Sequence, residues 1–454
     1  MIANPPYIQL QRAKNETQKY ADLYKYQKFE VFDRTGDIYC LFYEKGIQLL
    51  KQKGLLTYIT SNKWMRAGYG KSLREFFLKY NPLSLIDLGP GVFESATVDT
   101  NILIVQKAQN KRQLRAVTLQ KEDRSDIHQE LKQSGVLLTK LNSDAWFIGS
   151  DDEQKLKEKI ERIGKPLKDW DVKIYYGIKT GLNEAFIITT EKRNEILANC
   201  KVTDASRIAG KTERERTEEI IKPILRGRDI KRYYYEWAGL WVIIIPAGWT
   251  NKVSPSSSMD YKKAEQFINQ VYPSLMQHLK PFESKAKKRD YQGDYWWELR
   301  HCAYYPEFEK EKVVWGGVVT TKEFFKLRLS FLDKGVFINA PANFMIVDNF
   351  KYFLGYLNSY LNNWFYNNFI GTVLHKDGIR FYVDDMLKIP LPPITASNRR
   401  IVNQIEALVD KILGFKQQDP KTDTTHLERE IDELVYRLYD LTEEEIKIIE
   451  GGNS

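Results

Sequence analysis

A chain of 454 residues with 43% hydrophobic side chains can build two or three packed domains and is too apolar to be disordered. Lysine and arginine exceed aspartate and glutamate by 69 to 60, a net charge of +9 that suits a polyanionic partner without specifying one. The three cysteines, Cys40, Cys200 and Cys302, are far apart with no CxxC spacing, and no apolar run or leader pattern points to a membrane or to export, so the chain reads as cytoplasmic, with neither a disulfide framework nor a zinc site.

The first element in chain order is Asn4-Pro5-Pro6-Tyr7. The two prolines fix their own φ and bias the residue before each toward extended conformations. The Asn4 side-chain carbonyl and the Pro5 main-chain carbonyl are thereby held in place, with the flat Tyr7 ring beside them. On its residues alone the tetrapeptide is equally an ordinary Asn-Pro turn. It resembles the catalytic loop of the amino-methyltransferases. That likeness implies that the two carbonyls accept both hydrogens of a ring-conjugated amine and let its nitrogen pyramidalise toward a methyl group.

Next, "GDIYCLFYEKGIQLLKQKG" predicts a helix with Ile38, Leu41, Phe42 and Leu49 on one face, Asp37 as its cap and Gly54 as its stop. A strand-like run, Leu55 to Ser61, follows, then a glycine-containing loop from Ser61 to Gly70 and a second helix. "LSLIDLG" and "TNILIVQK" read as two further strands. A strand after each helix predicts a doubly wound α/β sheet. Ligand sites in such sheets lie beyond the carboxyl ends of the strands, where the Asn4 to Tyr7 and Ser61 to Gly70 loops would both fall.

"GLLTYITSNKWMRAGYGKSLREFF" and "LGPGVFESATVDTNILIVQK" resemble the fifth-strand motif, and the loop and strand after it, of the adenine-specific DNA methyltransferases of the Taq type. The resemblance implies that Phe93 is the second stacking aromatic, facing Tyr7 across an adenine swung out of the duplex, where protein rings replace the lost base stacking. Without the resemblance, a lone phenylalanine at the start of a strand reads as a core residue.

Between Lys107 and Lys140 the pattern dissolves into a polar stretch that reads as a linker. Three aromatic and basic blocks then follow: Tyr175 to Ile188, Ile220 to Pro246 and Lys285 to Arg300. Together with "YFLGYLNSYLNNWFY" and "IPLPP", these blocks resemble the C-terminal specificity domain of Taq-like and type IIG restriction-modification enzymes. Arg226, Arg228, Lys231 and Arg232 form one basic cluster, and Lys285, Lys287, Lys288 and Arg289 a second. Basic side chains neutralise phosphates and arginine forks read guanine edges, so both clusters are candidate DNA contacts. Charge runs also coat solvated faces, which is the bland alternative for any single lysine.

Other features carry less. "GIKTG" (Gly177 to Gly181) lacks the spacing of a phosphate loop and reads as a turn, Asp384 and Asp385 read as a helix or turn cap, and His128, His278, His301, His375 and His426 have no ligand spacing, so no metal site is expected. Glu283-Ser284-Lys285 and Glu445-Ile446-Lys447 have a nuclease-like ExK spacing, but neither follows a Pro-Asp strand. In the tail, Ile401, Ile405, Leu408, Val409 and Ile412 mark one amphipathic helix and Leu427, Ile431, Leu434, Val435 and Leu438 another; Thr442 with Glu445 opens a third as a capping box. The first two predict an antiparallel hairpin acting as a spacer or brace.

The expected organisation is a partial adenine methyltransferase catalytic domain at 1–110, a linker at 111–143, a DNA target-recognition domain at 144–394 and a helical spacer at 395–454. The fold class is α/β, the C-terminal half of a doubly wound methyltransferase sheet, followed by an α+β recognition domain and a helical hairpin. The resemblance implies S-adenosylmethionine as cofactor. The glycine-rich turn and acidic residue that hold it in this family precede the NPPY loop, so its binding motif is expected to be absent here and the isolated chain inactive in methyl transfer. Double-stranded DNA is the expected partner, together with an N-terminal methyltransferase or nuclease fragment. Two other readings stay open: a catalytically empty DNA-binding specificity subunit, and a protein-glutamine methyltransferase.

Overall fold

A computed structural model of the chain describes residues 1–14, 18–89, 91–93, 98–119, 121–143, 145–254, 260–320, 327–374 and 378–451. Pro90 and residues 94–97 of the loop around Phe93, Asp144 at the expected domain start and His375 lie outside the described residues. The amino-terminal third is built on six strands: β1 (Ile2–Ala3), β2 (Leu55–Ser61), β3 (Asn81–Gly89), β4 (Thr100–Gln106), β5 (Leu114–Thr118) and β6 (Val136–Leu138). They lie in the order β1-β2-β4-β3-β5-β6, with β1 parallel to β2, β3 parallel to β5, and β4 antiparallel to both of its neighbours.

Strand alternation sends side chains to two faces. Leu85, Leu103 and Val105 enter one core with the helices Ile38–Leu49 and Lys71–Leu78. Ile86, Leu88, Val117 and Leu119 enter a smaller core on the other face, covered by Ile127 and Leu131 of the helix Ile127–Gln133. Helices on both faces make this a doubly wound α/β layer, as the fold class required. The expected linker at 111–143 is corrected by the same contacts: it carries β5, β6 and that covering helix. Its apolar residues are few and scattered among charges because β5 shows an exposed Arg115 between buried Leu114 and Ala116, and β6 lies at the edge.

The change of domain falls between two adjacent aromatics. Trp146 is buried in the amino-terminal core, its backbone N–H donating to Met65 O at 2.8 Å, while the Phe147 ring lies 4.4 Å from that of Phe369 in the following domain. Beyond this point a four-stranded sheet, ordered Leu329–Leu332, Lys312–Trp315, Asn343–Ile346, Lys173–Tyr176, separates two cores. Val313, Trp315 and Met345 point into one, Val314 and Phe344 into the other. A second sheet, ordered Phe337–Ile338, Ile221–Leu225, Leu240–Ile243, Ile187–Thr189, closes the latter core.

The carboxyl-terminal helices Arg399–Gln418, Thr425–Leu438 and Glu443–Gly451 form where the apolar spacing and the Thr442–Glu445 capping box place them. They are not a separate spacer. Val402, Ile405, Val409, Ile431 and Val435 share a core with Trp315, Met345 and the helix Phe350–Asn358. Gly355 on that last helix permits the contact, since a Cβ there would lie 2.7 Å from Ile405 Cγ2. The helical layer is therefore part of the recognition half, and the boundary expected at residue 395 is corrected.

One carboxyl group in this layer gives the fold a pH dependence. Asp432 accepts from the Tyr360 backbone N–H at 2.7 Å, and burial pushes its pKa up to about 6, against the opposing pull of Arg232 and with the charges of Glu428 and Glu450 adding to the rise. A folded-state pKa raised above the ordinary 3.8 favours the protonated form, so the stability it contributes is complete below about pH 4 and is lost as pH rises through about 6. Thermal unfolding midpoints measured against pH should show Asp432→Asn gaining stability relative to the parent chain above pH 6, with the two converging toward pH 4.

Candidate functional site

The carboxyl ends of β1, β2 and β3 open onto one edge of the amino-terminal sheet, and the polar loops gather there. Asn4 follows β1 directly and is exposed, Pro5 is buried, Pro6 is exposed and Tyr7 is half-buried. The Tyr7 hydroxyl donates to Asn4 Oδ1 at 2.9 Å. Burial, with the charge of Asp37 added, pushes the Tyr7 phenol up to about 12, so it stays protonated and remains a donor at neutral pH. The Tyr7 ring lies 6.4 Å from Phe93 at an interplanar angle of 48° and 6.3 Å from Tyr39, edge-on. Tyr7 of the Asn4–Tyr7 loop and Phe93, singled out from two separate segments, thus lie together, with Asn4 bonded to Tyr7.

Residues that the sequence did not single out as site residues hold this arrangement. Asp37, expected only as a helix cap, makes no side-chain cap bond to its own helix; its carboxylate accepts from Ile8 N at 2.7 Å, which pins the chain immediately after Tyr7. Tyr39, the second residue of the same helix, is buried and shares a hydrogen bond of 2.8 Å with the Tyr69 hydroxyl in the loop after β2. Asn62 ties the other strand ends: its side chain donates to Asp87 Oδ1 at 3.0 Å and its backbone N–H to Asp99 O at 2.9 Å, while Gly89 N donates to the same Asp87 oxygen. The signal for Asp37 and Asn62 was position alone, since each stands where a loop meets an element at the ligand edge. Arg66, from the loop after β2, reaches Asn367 O at 3.4 Å and so joins this edge to the recognition half.

The basic clusters separate on inspection of their partners. Arg226 is held by Asp229 through both Nε and Nη2, the latter at 2.7 Å from Asp229 Oδ1. Arg232 pairs with Glu428 at 2.5 Å, Lys285 with Glu184 at 2.8 Å and Lys287 with Glu283 at 2.6 Å. Lys231 lies 3.4 Å from Glu236 and donates to Arg228 O. Arg228 and Lys288 are exposed and, among the described residues, form no salt bridge.

Arg289 is a correction. It is 8% exposed, donates to the carbonyls of Thr180 at 2.6 Å, Trp296 at 2.9 Å and Glu298, and lies 4.6 Å over the Phe186 ring. Burial lowers its pKa to about 10. A guanidinium with its donors on three backbone carbonyls is a strut of the core and cannot also grip a phosphate. Arg328, Lys179 and Arg300 were not singled out because none belongs to a dense run of arginines or lysines; Lys179 and Arg300 lie over the exposed tyrosines Tyr176 and Tyr291, at 5.9 and 5.4 Å.

GIKTG begins at the end of the strand Lys173–Tyr176 and turns through Gly181 at φ +71°, with no phosphate-loop geometry. Among the described residues there is no cluster of histidine, cysteine and carboxylate groups able to hold a metal, and no helix is long and apolar enough to cross a membrane.

Two segments of the chain match known families. Residues 1–93 match the Eco57I restriction-modification methylase family, and residues 222–391 match the TaqI-like C-terminal specificity domain. The chain is 30% identical over 193 residues to the type II restriction enzyme and methyltransferase RM.Eco57I of Escherichia coli, covering 41% of this chain and 19% of that protein. It is 27% identical over 216 residues to the type II methyltransferase M.BstVI of Geobacillus stearothermophilus, covering 42% of this chain and 37% of that one. The chain therefore spans well under half the length of these relatives. Its fold also follows that of the Type IIL restriction-modification enzyme MmeI, solved in complex with DNA, with a TM-score of 0.61 at 12% identity over 98% of this chain and 55% of MmeI. The chain thus joins part of an Eco57I restriction-modification methylase to a TaqI-like C-terminal specificity domain, and its relatives are type II restriction-modification methyltransferases.

Proposed function

We propose that the chain is the target-base and sequence-reading part of a site-specific DNA adenine-N6 methyltransferase of a restriction-modification system. The observation that carries this reading is the convergence of Asn4, Tyr7 and Phe93 at the carboxyl edge of β1 to β3. An adenine extruded from duplex DNA enters between the rings of Tyr7 and Phe93. A base held between two rings needs about 7 Å, two carbon contact distances, so the rings part slightly and turn toward parallel as it enters. Asn4 Oδ1 and the Pro5 carbonyl accept the two amine hydrogens. The Asn4 oxygen has two lone pairs and accepts from Tyr7 and the amine together. Asp37, through Ile8, holds the loop against the start of the helix Ile38–Leu49.

S-adenosylmethionine supplies the methyl group in such enzymes. We place the donor site on strands that would extend the sheet past β1, in the same polypeptide or in a second one. In this reading the 454 residues alone bind duplex DNA and transfer no methyl group.

The test supplies the chain with a donor-binding methylase segment, mixed-sequence duplex DNA and S-adenosylmethionine, then digests the DNA and analyses its nucleosides. N6-methyladenine confined to one short sequence is the expected product. N4-methylcytosine, or methyl groups on protein glutamine, would reassign the loop's substrate. DNA binding without methyl transfer would leave a specificity subunit.

A further inference from the structure

We infer that the cleft between Arg228 and Arg328 is a binding site for the sugar-phosphate backbone of duplex DNA, and that it, rather than the arginine-rich and lysine-rich runs as a whole, carries the electrostatic grip of the recognition half. The inference rests on the reading of that half as a DNA-binding domain and assigns where the contact is made.

Three observations lead to this cleft. The first is its charge: a cavity of about 420 Å³ is lined by Arg228, Lys231 and Arg328, among the described residues no carboxylate lines it, and only Lys231 is shared with a nearby one, Glu236 at 3.4 Å. Elsewhere in the two basic clusters every charge but the exposed Lys288 is already compensated, by Asp229 for Arg226, Glu428 for Arg232, Glu184 for Lys285 and Glu283 for Lys287, or buried against carbonyls in Arg289. A cation already paired with a carboxylate releases little free energy on meeting a phosphate, because the first pair must be broken or shared.

The second observation is the shape of the floor. Gly227, Gly316 and Gly317 bring three backbone segments together: a Cβ on Gly316 would lie 3.1 Å from Gly227 O, and one on Gly317 2.0 Å from Pro341 O. At Gly317 only glycine permits that approach, and the three glycines leave a floor of bare backbone under the cations. The third is the absence of any aromatic side chain from the described lining. A groove meant to hold an unstacked base presents a ring; one with arginine and lysine over bare backbone suits the phosphodiester chain.

The experiment uses the full chain and a fluorescein-labelled, mixed-sequence duplex, with affinity read by anisotropy over a range of salt concentrations. Each phosphate contact contributes about 0.9 to the slope of log affinity against log salt, so Arg228→Gln with Arg328→Gln is expected to lower that slope by about 2. Lys285→Gln with Lys287→Gln, which also removes two charges, is expected to leave it nearly unchanged. Arg228→Glu alone should weaken binding further than Arg228→Gln. The thermal unfolding midpoint serves as a folding control for every variant. An unchanged slope in the double arginine variant, with the parent chain binding normally, overturns the cleft assignment and leaves the DNA-binding reading intact. Equal losses in the two double variants also overturn it, since they would report net charge alone. No binding of duplex by the parent chain overturns the broader reading and the inference with it.

Discussion

Arg289→Met is expected to lower the unfolding free energy of the recognition half by about 3 kcal/mol or more, because several buried carbonyls lose a charged donor at once. The guanidinium satisfies the carbonyls of Thr180, Trp296 and Glu298 at once and packs on Phe186. Methionine fills much of the volume and none of the hydrogen bonds. Each buried carbonyl left without a donor costs about 1 to 3 kcal/mol, and the loss of the desolvation penalty on the cation offsets only part of that sum. Arg289→Lys should recover only a fraction, because one ammonium on a flexible stem cannot reproduce a planar fork. Urea unfolding midpoints would show it, with Lys288→Ala, one residue away and exposed, as the silent control. An unchanged midpoint for Arg289→Met, coupled with a flatter salt dependence of DNA binding, would return Arg289 to the DNA surface.

In an active methylase assembled around this segment, Asn4→Ala is expected to reduce kcat by on the order of 100-fold or more, the scale seen when one preorganised polar group facing the reacting centre is lost. Affinity for DNA should change little, because the recognition half is untouched. Tyr7→Ala removes the stacking face, worth about 1 to 3 kcal/mol per base. Its loss should fall on both base capture and kcat. Tyr7→Phe keeps the ring and removes only the hydroxyl that donates to Asn4, so it should lie between the two. With the phenol pKa at about 12, neither the parent nor Tyr7→Phe should show a Tyr7 titration in the rate between pH 6 and 9. Tritium transfer from labelled donor to DNA measures each rate; an Asn4→Ala enzyme with parental kcat would remove Asn4 from the chemistry.

Local pattern alone located much of the amino-terminal layer. The run Leu55 to Ser61 is β2 to the residue, and "TNILIVQK" contains β4, because buried strands alternate or cluster their apolar side chains in ways that need no knowledge of the partner strand. The tail helices were legible for the same reason, since Ile405, Val409, Ile431 and Val435 mark their faces at helical spacing. What those faces cover was not legible. A hairpin read from spacing reads as self-sufficient, whereas Gly355 admits Ile405 and Val409 into the core of the recognition half. Residues 111–143 failed for the opposite reason: β5 and the edge strand β6 are only five and three residues long and stand among charged segments, so they carry little pattern.

For the site, the sequence by itself determined which residue types stand where loops leave strands: Asn4 and Tyr7 after β1, Asn62 after β2, Phe93 after β3. These follow from chain order, because parallel strands deliver their carboxyl ends to one edge. Only the tertiary structure decided which charges face outward. Arg226, Arg228, Arg232 and Arg289 look alike in sequence, yet one is held by a neighbour three residues away, one by Glu428 far along the chain, one by three carbonyls in the core, and Arg228 alone stands at the cleft beside Arg328. The physical reason is that a charge's worth is set by whatever opposes it at about 3 to 4 Å, and those partners come from segments that the linear order keeps apart.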